Sequence, residues 1–159
     1  MYKRAAVTLA VTAAIAVGAC GGGSSHLSKK DFVKKADAIC AAGSKKIDKL
    51  DSPNFDPTSE NLSKAQLSDA ARFLDQAVTI QSGNVDDIKK LDAPSGDQKT
   101  VNGFLSAVDK GDSQMRDAAS AARAGDDAKF RSAFDQAGKT LSDASSKAKD
   151  YGLQECGKQ

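Results

Sequence analysis

Residues 126–152 read DDAKFRSAFDQAGKTLSDASSKAKDYG. Phe130, Phe134, Ala137, Leu141, Ala144, Ala148 and Tyr151 recur in steps of four and three, which places all seven on one face of a helix. Gly125 and Asp126 stand before the run as a helix-ending glycine and an N-cap acid, and Gly152 closes it. A stripe this narrow, with polar residues on every other face, is stable only when it is buried against other helices.

Three more stripes of the same period precede it. The first opens at Ser28, with Asp31 three residues on, and runs through Phe32, Ala36, Ile39, Gly43, Ile47 and Leu50. Asp51-Ser52-Pro53-Asn54 ends it, and a loop rich in Pro, Asn and Asp leads to Ser63. The second carries Leu67, Ala71, Leu74, Val78, Gln81, Val85 and Ile88, keeps its phase through Gly83, and stops at Pro94-Ser95-Gly96. The third, from about Asp97, carries Val101, Leu105, Val108, Met115, Ala119 and Ala122, with Gly111 interrupting it without a phase shift. No strand pattern competes. The expected fold is all-α, an antiparallel up-down four-helix bundle over residues 28–159. Its core is thin and rich in alanine, because Leu, Ile, Val and Phe supply only 24 of the 133 residues from Leu27 onward. The near-zero net charge and strong periodicity argue against disorder.

The N-terminus has a different composition. Lys3 and Arg4 form a basic head, and Ala5 to Ala19 are apolar or small and uncharged, as in an export signal. The run is shorter than the ~20 apolar residues that a membrane-spanning helix needs. Its end, Val17-Gly18-Ala19-Cys20, resembles the lipobox of bacterial lipoproteins, although Val17 and Gly18 depart from the commonest residues at their places. The resemblance implies cleavage before Cys20 and a diacylglycerol thioether on its sulfur. The plainer alternative is an ordinary secretory signal in which Cys20 is incidental. The expected organisation is a signal peptide at 1–19, a lipidated cysteine and Gly/Ser linker at 20–27, and the bundle at 28–159. A linker of this length reaches ~15 Å, which keeps the bundle close to the outer face of the cytoplasmic membrane. His26 reads as a spacer residue of that linker.

Without the signal, basic and acidic residues balance at 21 each, which removes the electrostatic basis for nucleic-acid binding. The distribution is uneven: residues 28–50 carry a net +4 and residues 51–97 a net −5. Lys29, Lys30, Lys34 and Lys35 follow the tether directly. Two readings stand: contact with anionic headgroups, or pairing with acids of the neighbouring segment while otherwise facing water.

Cys40 and Cys156 remain. In an exported protein an even pair is expected to be bonded, stapling the C-terminal tail to the first helix. A redox pair is the sharper alternative, but neither cysteine lies in a Cys-x-x-Cys arrangement. DFVKKADAIC, KLDAP, AGDDAKF and YGLQEC together are similar to segments of a group of small actinobacterial lipoproteins and exported proteins. This resemblance spans most of the mature chain and implies an all-helical, disulfide-linked envelope domain. It carries over no catalytic residues.

Little in the chain points to chemistry. A di-iron bundle needs inward glutamates and Glu-x-x-His pairs, whereas this chain has two glutamates, Glu60 and Glu155, and one histidine. Asp86-Asp87 and Asp126-Asp127 do not fit a calcium loop. Lys110-Gly111-Asp112 looks like an adhesion tripeptide, a match short enough to arise by chance. No enzyme activity, cofactor or metal is expected. Two function classes remain: a non-catalytic binding or scaffold module that meets another envelope protein, or a carrier or sensor of a small apolar ligand held between helices. Against the carrier, the Ala- and Gly-rich seams leave little space, and Phe32, Phe73, Phe104, Phe130, Phe134 and Tyr151 are expected to fill the core. Phe55, an aromatic in a loop, either anchors a partner or folds back over the bundle end.

Overall fold

Three of the four long helices begin where a side chain supplies an acceptor for an otherwise unpaired backbone N–H. In a computed structural model that describes residues 26–158, α1 spans Lys29–Ile47, α2 Lys64–Lys89, α3 Gln98–Arg123 and α4 Asp127–Tyr151. A single 3-10 turn, Cys156–Lys158, follows. The signal segment, Cys20 and the linker residues Gly21 to Ser25 lie outside the described residues. Ser28 caps α1 by accepting from the Asp31 N–H, Ser63 and Gln66 form a reciprocal capping box on α2, and Asp126 caps α4. Gly152, at φ +113°, ends α4 in the left-handed conformation that glycine adopts without a Cβ clash.

The helices form the expected all-α bundle. The cross-links between α2 and α3 step in opposite directions along the two chains: Arg123 pairs with Asp75, Arg116 reaches Ser82, and Lys89 pairs with Asp109. That order is antiparallel. α3 is the central helix, packed along α2 and along α4. Two glycines permit close approach. A Cβ on Gly111 would lie 2.5 Å from a Leu141 methyl of α4, and a Cβ on Gly43 of α1 would overlap the Asn84 amide of α2.

α1 ends three residues before its stripe does. The Lys49 and Leu50 N–H groups donate to Lys46 and Ile47 carbonyls three residues back, so the chain tightens out of the α-helix ahead of Pro53. The shorter helix covers only one half of the bundle. In that half Phe32, Ala36 and Cys40 pack with Val85, Ile88, Val101, Phe104, Leu105 and Tyr151. The other half is built from Leu67, Ala70, Leu74, Ala118, Ala122 and Phe130. Its fourth wall is residues 48–63, an irregular strap whose Leu62 is buried and whose Phe55 is half-buried.

Candidate functional site

The end covered by α1 is held from several directions. Cys40 and Cys156 form a disulfide with Cα atoms 5.0 Å apart, across 116 residues of sequence. One turn earlier on the same helix, Asp37 accepts from three consecutive backbone N–H groups of the tail, those of Gln154 (3.0 Å), Glu155 (2.8 Å) and Cys156 (3.2 Å). Ser145 of α4 donates to the Gly157 carbonyl at 2.6 Å. The Tyr151 hydroxyl donates to Asp97 at 2.8 Å, so the carboxylate expected to start α3 instead ties α4 to it. Burial, together with the Asp97 carboxylate, pushes the Tyr151 phenol well above its ordinary value. The disulfide is therefore built into a clamp. Between it and the helices lies a small apolar cavity of about 60 Å³, lined in part by Phe104, Leu141, Ala144 and the disulfide itself.

Phe32, Ala36, Cys40 and Gly43 are the buried stripe of α1. On a 3.6-residue helix Lys30, Lys34 and Lys45 project from the opposite side and Lys35 and Lys46 from its flanks, and all five are exposed. Among the described residues none of them enters an ion pair; the cross-helix pairs join α2 to α3 instead. Of the plainer reading for Lys30, Lys34 and Lys35, the exposure to water is seen, whereas no ion pair with the acidic second segment forms among the described residues. Three acids of that segment pair with other cations: Asp69 with Arg72, Asp75 with Arg123, and Asp87 with Lys90. Lys29 differs from the rest, its ammonium lying 4.3 Å from the centre of the Tyr151 ring.

At the opposite end the strap folds Phe55 back against the second cluster. It does not seal it. An apolar cavity of about 150 Å³ lies beneath, walled by Phe55, Phe73, Phe130 and Phe134 with Pro53 and Pro57. Phe73 and Phe134, expected in the core, are only half-buried because no helix passes over them. Space is left where α1 stops, in spite of the alanine-rich seams.

A polar waist separates the two halves. Asp112 of α3 is 1 % exposed. Its Oδ2 accepts from the Ser82 hydroxyl at 2.9 Å, and Ser82 Oγ in turn accepts from Arg116 at 2.7 Å. Asp112 Oδ1 has no partner. Burial raises the Asp112 carboxyl to about 6, against the opposing pull of Ser82 and Arg116. With Gly111 also buried, Lys110-Gly111-Asp112 is not a displayed tripeptide.

Among the described residues no group of three His, Cys, Asp or Glu is placed to hold a metal ion, and no helix is long and apolar enough to cross a membrane. Compared with known protein families, with curated proteins and with solved structures, the chain matches none.

Proposed function

We propose that this protein is a membrane-anchored lipoprotein of the small actinobacterial type that its sequence resembles. In this reading a lipid on Cys20 holds it at the outer face of the cytoplasmic membrane, and the bundle is a non-catalytic binding or scaffold module for another envelope protein. The observation that carries the reading is the lysine face of α1. Lys30 and Lys34 lie opposite the buried stripe with Lys35 at its flank, all three are exposed and enter no ion pair among the described residues, and they follow directly on the expected tether. Each lysine near an anionic surface contributes ~1 kcal/mol. Stable anchoring needs two signals, such as two acyl chains or a chain plus a basic patch. The lysines then orient a bundle that the lipid retains, with α1 toward the headgroups and α3 and α4 turned outward.

The test has two arms. Cys20→Ala is expected to move the protein from the membrane to the soluble fraction and to abolish palmitate labelling. In the unlipidated protein, changing Lys29, Lys30, Lys34 and Lys35 to Gln is expected to weaken sedimentation with phosphatidylglycerol-containing vesicles at least tenfold. Unchanged partitioning in the first arm removes the anchor, and unchanged sedimentation in the second removes the headgroup contact.

A second reading, a carrier or sensor of a small apolar ligand, is favoured by one specific observation, the phenylalanine-walled cavity beneath the strap.

A further inference from the structure

We infer that the space beneath residues 48–63 is a binding site for a small uncharged aromatic molecule of about one ring, with the strap as its movable cover. The inference rests on the carrier reading and gives it a place and a ligand chemistry.

Four features of the site support this. The first is size: an apolar cavity of about 150 Å³ is large enough for benzene, whereas the 60 Å³ space behind the disulfide is too small for a ring. The second is chemistry. Phe55, Phe73, Phe130 and Phe134 offer ring faces and edges for stacked or edge-to-face contact, and Ser52 is the one lining residue with a polar side chain. A charged ligand buried there would lose its hydration without compensation. The third is access. Pro57 and Phe134 line both this cavity and an open surface groove beside α4, so the site has a mouth. Arg131 and Lys139 on that groove are already paired with Asp127 and Asp135, which leaves no strong preference for an anion.

The fourth is the cover. A stretch of this length without secondary structure is uncommon in a compact domain and is usually functional where it is ordered. Its hydrogen bonds include local ones, such as both the Thr58 N–H and hydroxyl on Asp56, while the Asn61 N–H reaches Asp127 of α4. Phe55 and Leu62 attach it to the bundle mainly by apolar contact. Such a cover opens at little cost compared with the disulfide-held end.

The experiment uses the full-length oxidised protein with toluene and benzoate as probes, followed by melting temperature and by intermolecular NOEs. Toluene at millimolar concentration is expected to raise the melting temperature by several degrees and to give NOEs to Phe73 and Phe134. Benzoate is expected to bind at least tenfold more weakly. Ala70→Leu, which grows a side chain into the cavity from α2, is expected to weaken toluene at least tenfold. The NOEs in the unaltered protein decide independently of whether that variant folds. NOEs to Phe104 and Leu141 instead would overturn the site while leaving a carrier, with the ligand behind the disulfide. No melting shift and no NOEs would overturn both the site and the carrier reading. Benzoate binding as tightly as toluene would overturn the proposed ligand chemistry.

Discussion

The two ends of this bundle share the same three long helices and are closed in opposite ways. At one end a fourth helix lays Phe32 against Tyr151, with ring centroids 6.1 Å apart, and a disulfide and the Asp37 carboxylate lock the tail over it. At the other the cover is a strap with no helix of its own, and it encloses space instead of filling it. A chain with few large apolar residues cannot pack both ends densely. Here the covalent constraint and the ordered backbone are concentrated at one of them. The comparison teaches that a thin core need not be uniformly weak. It is firm where distant segments are tied together and open where a single loop must substitute for a helix.

The largest test of this asymmetry is removal of the staple. Closing a loop of 116 residues' separation stabilises by ~4–5 kcal/mol in the chain-entropy account. Cys40→Ser with Cys156→Ser is therefore expected to lower unfolding stability by about 4 kcal/mol in urea titrations. Amide exchange should then rise most across Phe32–Gly43 and the tail, and least around Phe130. Equal loosening at both ends would break the comparison, because the bundle would then respond as one unit.

The waist between the halves gives a smaller effect with a definite pH sign. The Asp112 carboxyl is raised to about 6 in the folded protein, from an ordinary value of 3.8, so between those values the native state holds a proton that the unfolded chain has released. Its contribution is greatest below about pH 4 and is lost as pH rises through 6. Two pKa units correspond to about 2–3 kcal/mol. Asp112→Asn, which keeps an acceptor for Ser82, is expected to match the parent near pH 4 and to exceed it by about 2 kcal/mol at pH 7. Urea midpoints at pH 4, 5, 6 and 7 measure this. A difference constant across the range would mean that the carboxylate titrates normally and the waist is solvated.

Much of the fold could be read from local pattern. Stripes with large residues located the helices, while Ser28, Ser63, Asp126 and Gly152 marked three starts and a stop. The two cysteines, read together with an expected export signal, were enough to expect the staple. Asp112 was partly legible: the third stripe steps from Val108 to Met115 across seven residues, and the skipped seam position, four after Val108, is Asp112 itself. Reading it as a gap hid a buried carboxylate. Asp37 left no comparable signal, because its partners are backbone N–H groups 117 to 119 residues away. Nor does periodicity report how far a helix extends along its neighbours. The length of α1 relative to α2, α3 and α4 left one end to the strap, and the cavity follows from that mismatch and not from any motif.

The smallest effect separates the two covers most directly. Phe32 is fully buried in α1, and its loss to alanine is expected to cost about 3–5 kcal/mol, as for other core phenylalanines. Phe55 is half-buried in the strap, and it already borders empty space, so its removal takes away fewer contacts and adds to a cavity that exists. Phe55→Ala is expected to cost about 1 kcal/mol, with amide exchange in α1 unchanged. Denaturant titration of both variants side by side measures the contrast. A cost at Phe55 approaching that at Phe32 would mean that the strap is packed as firmly as the helix, and a cover packed that firmly would not serve as the entrance to a site.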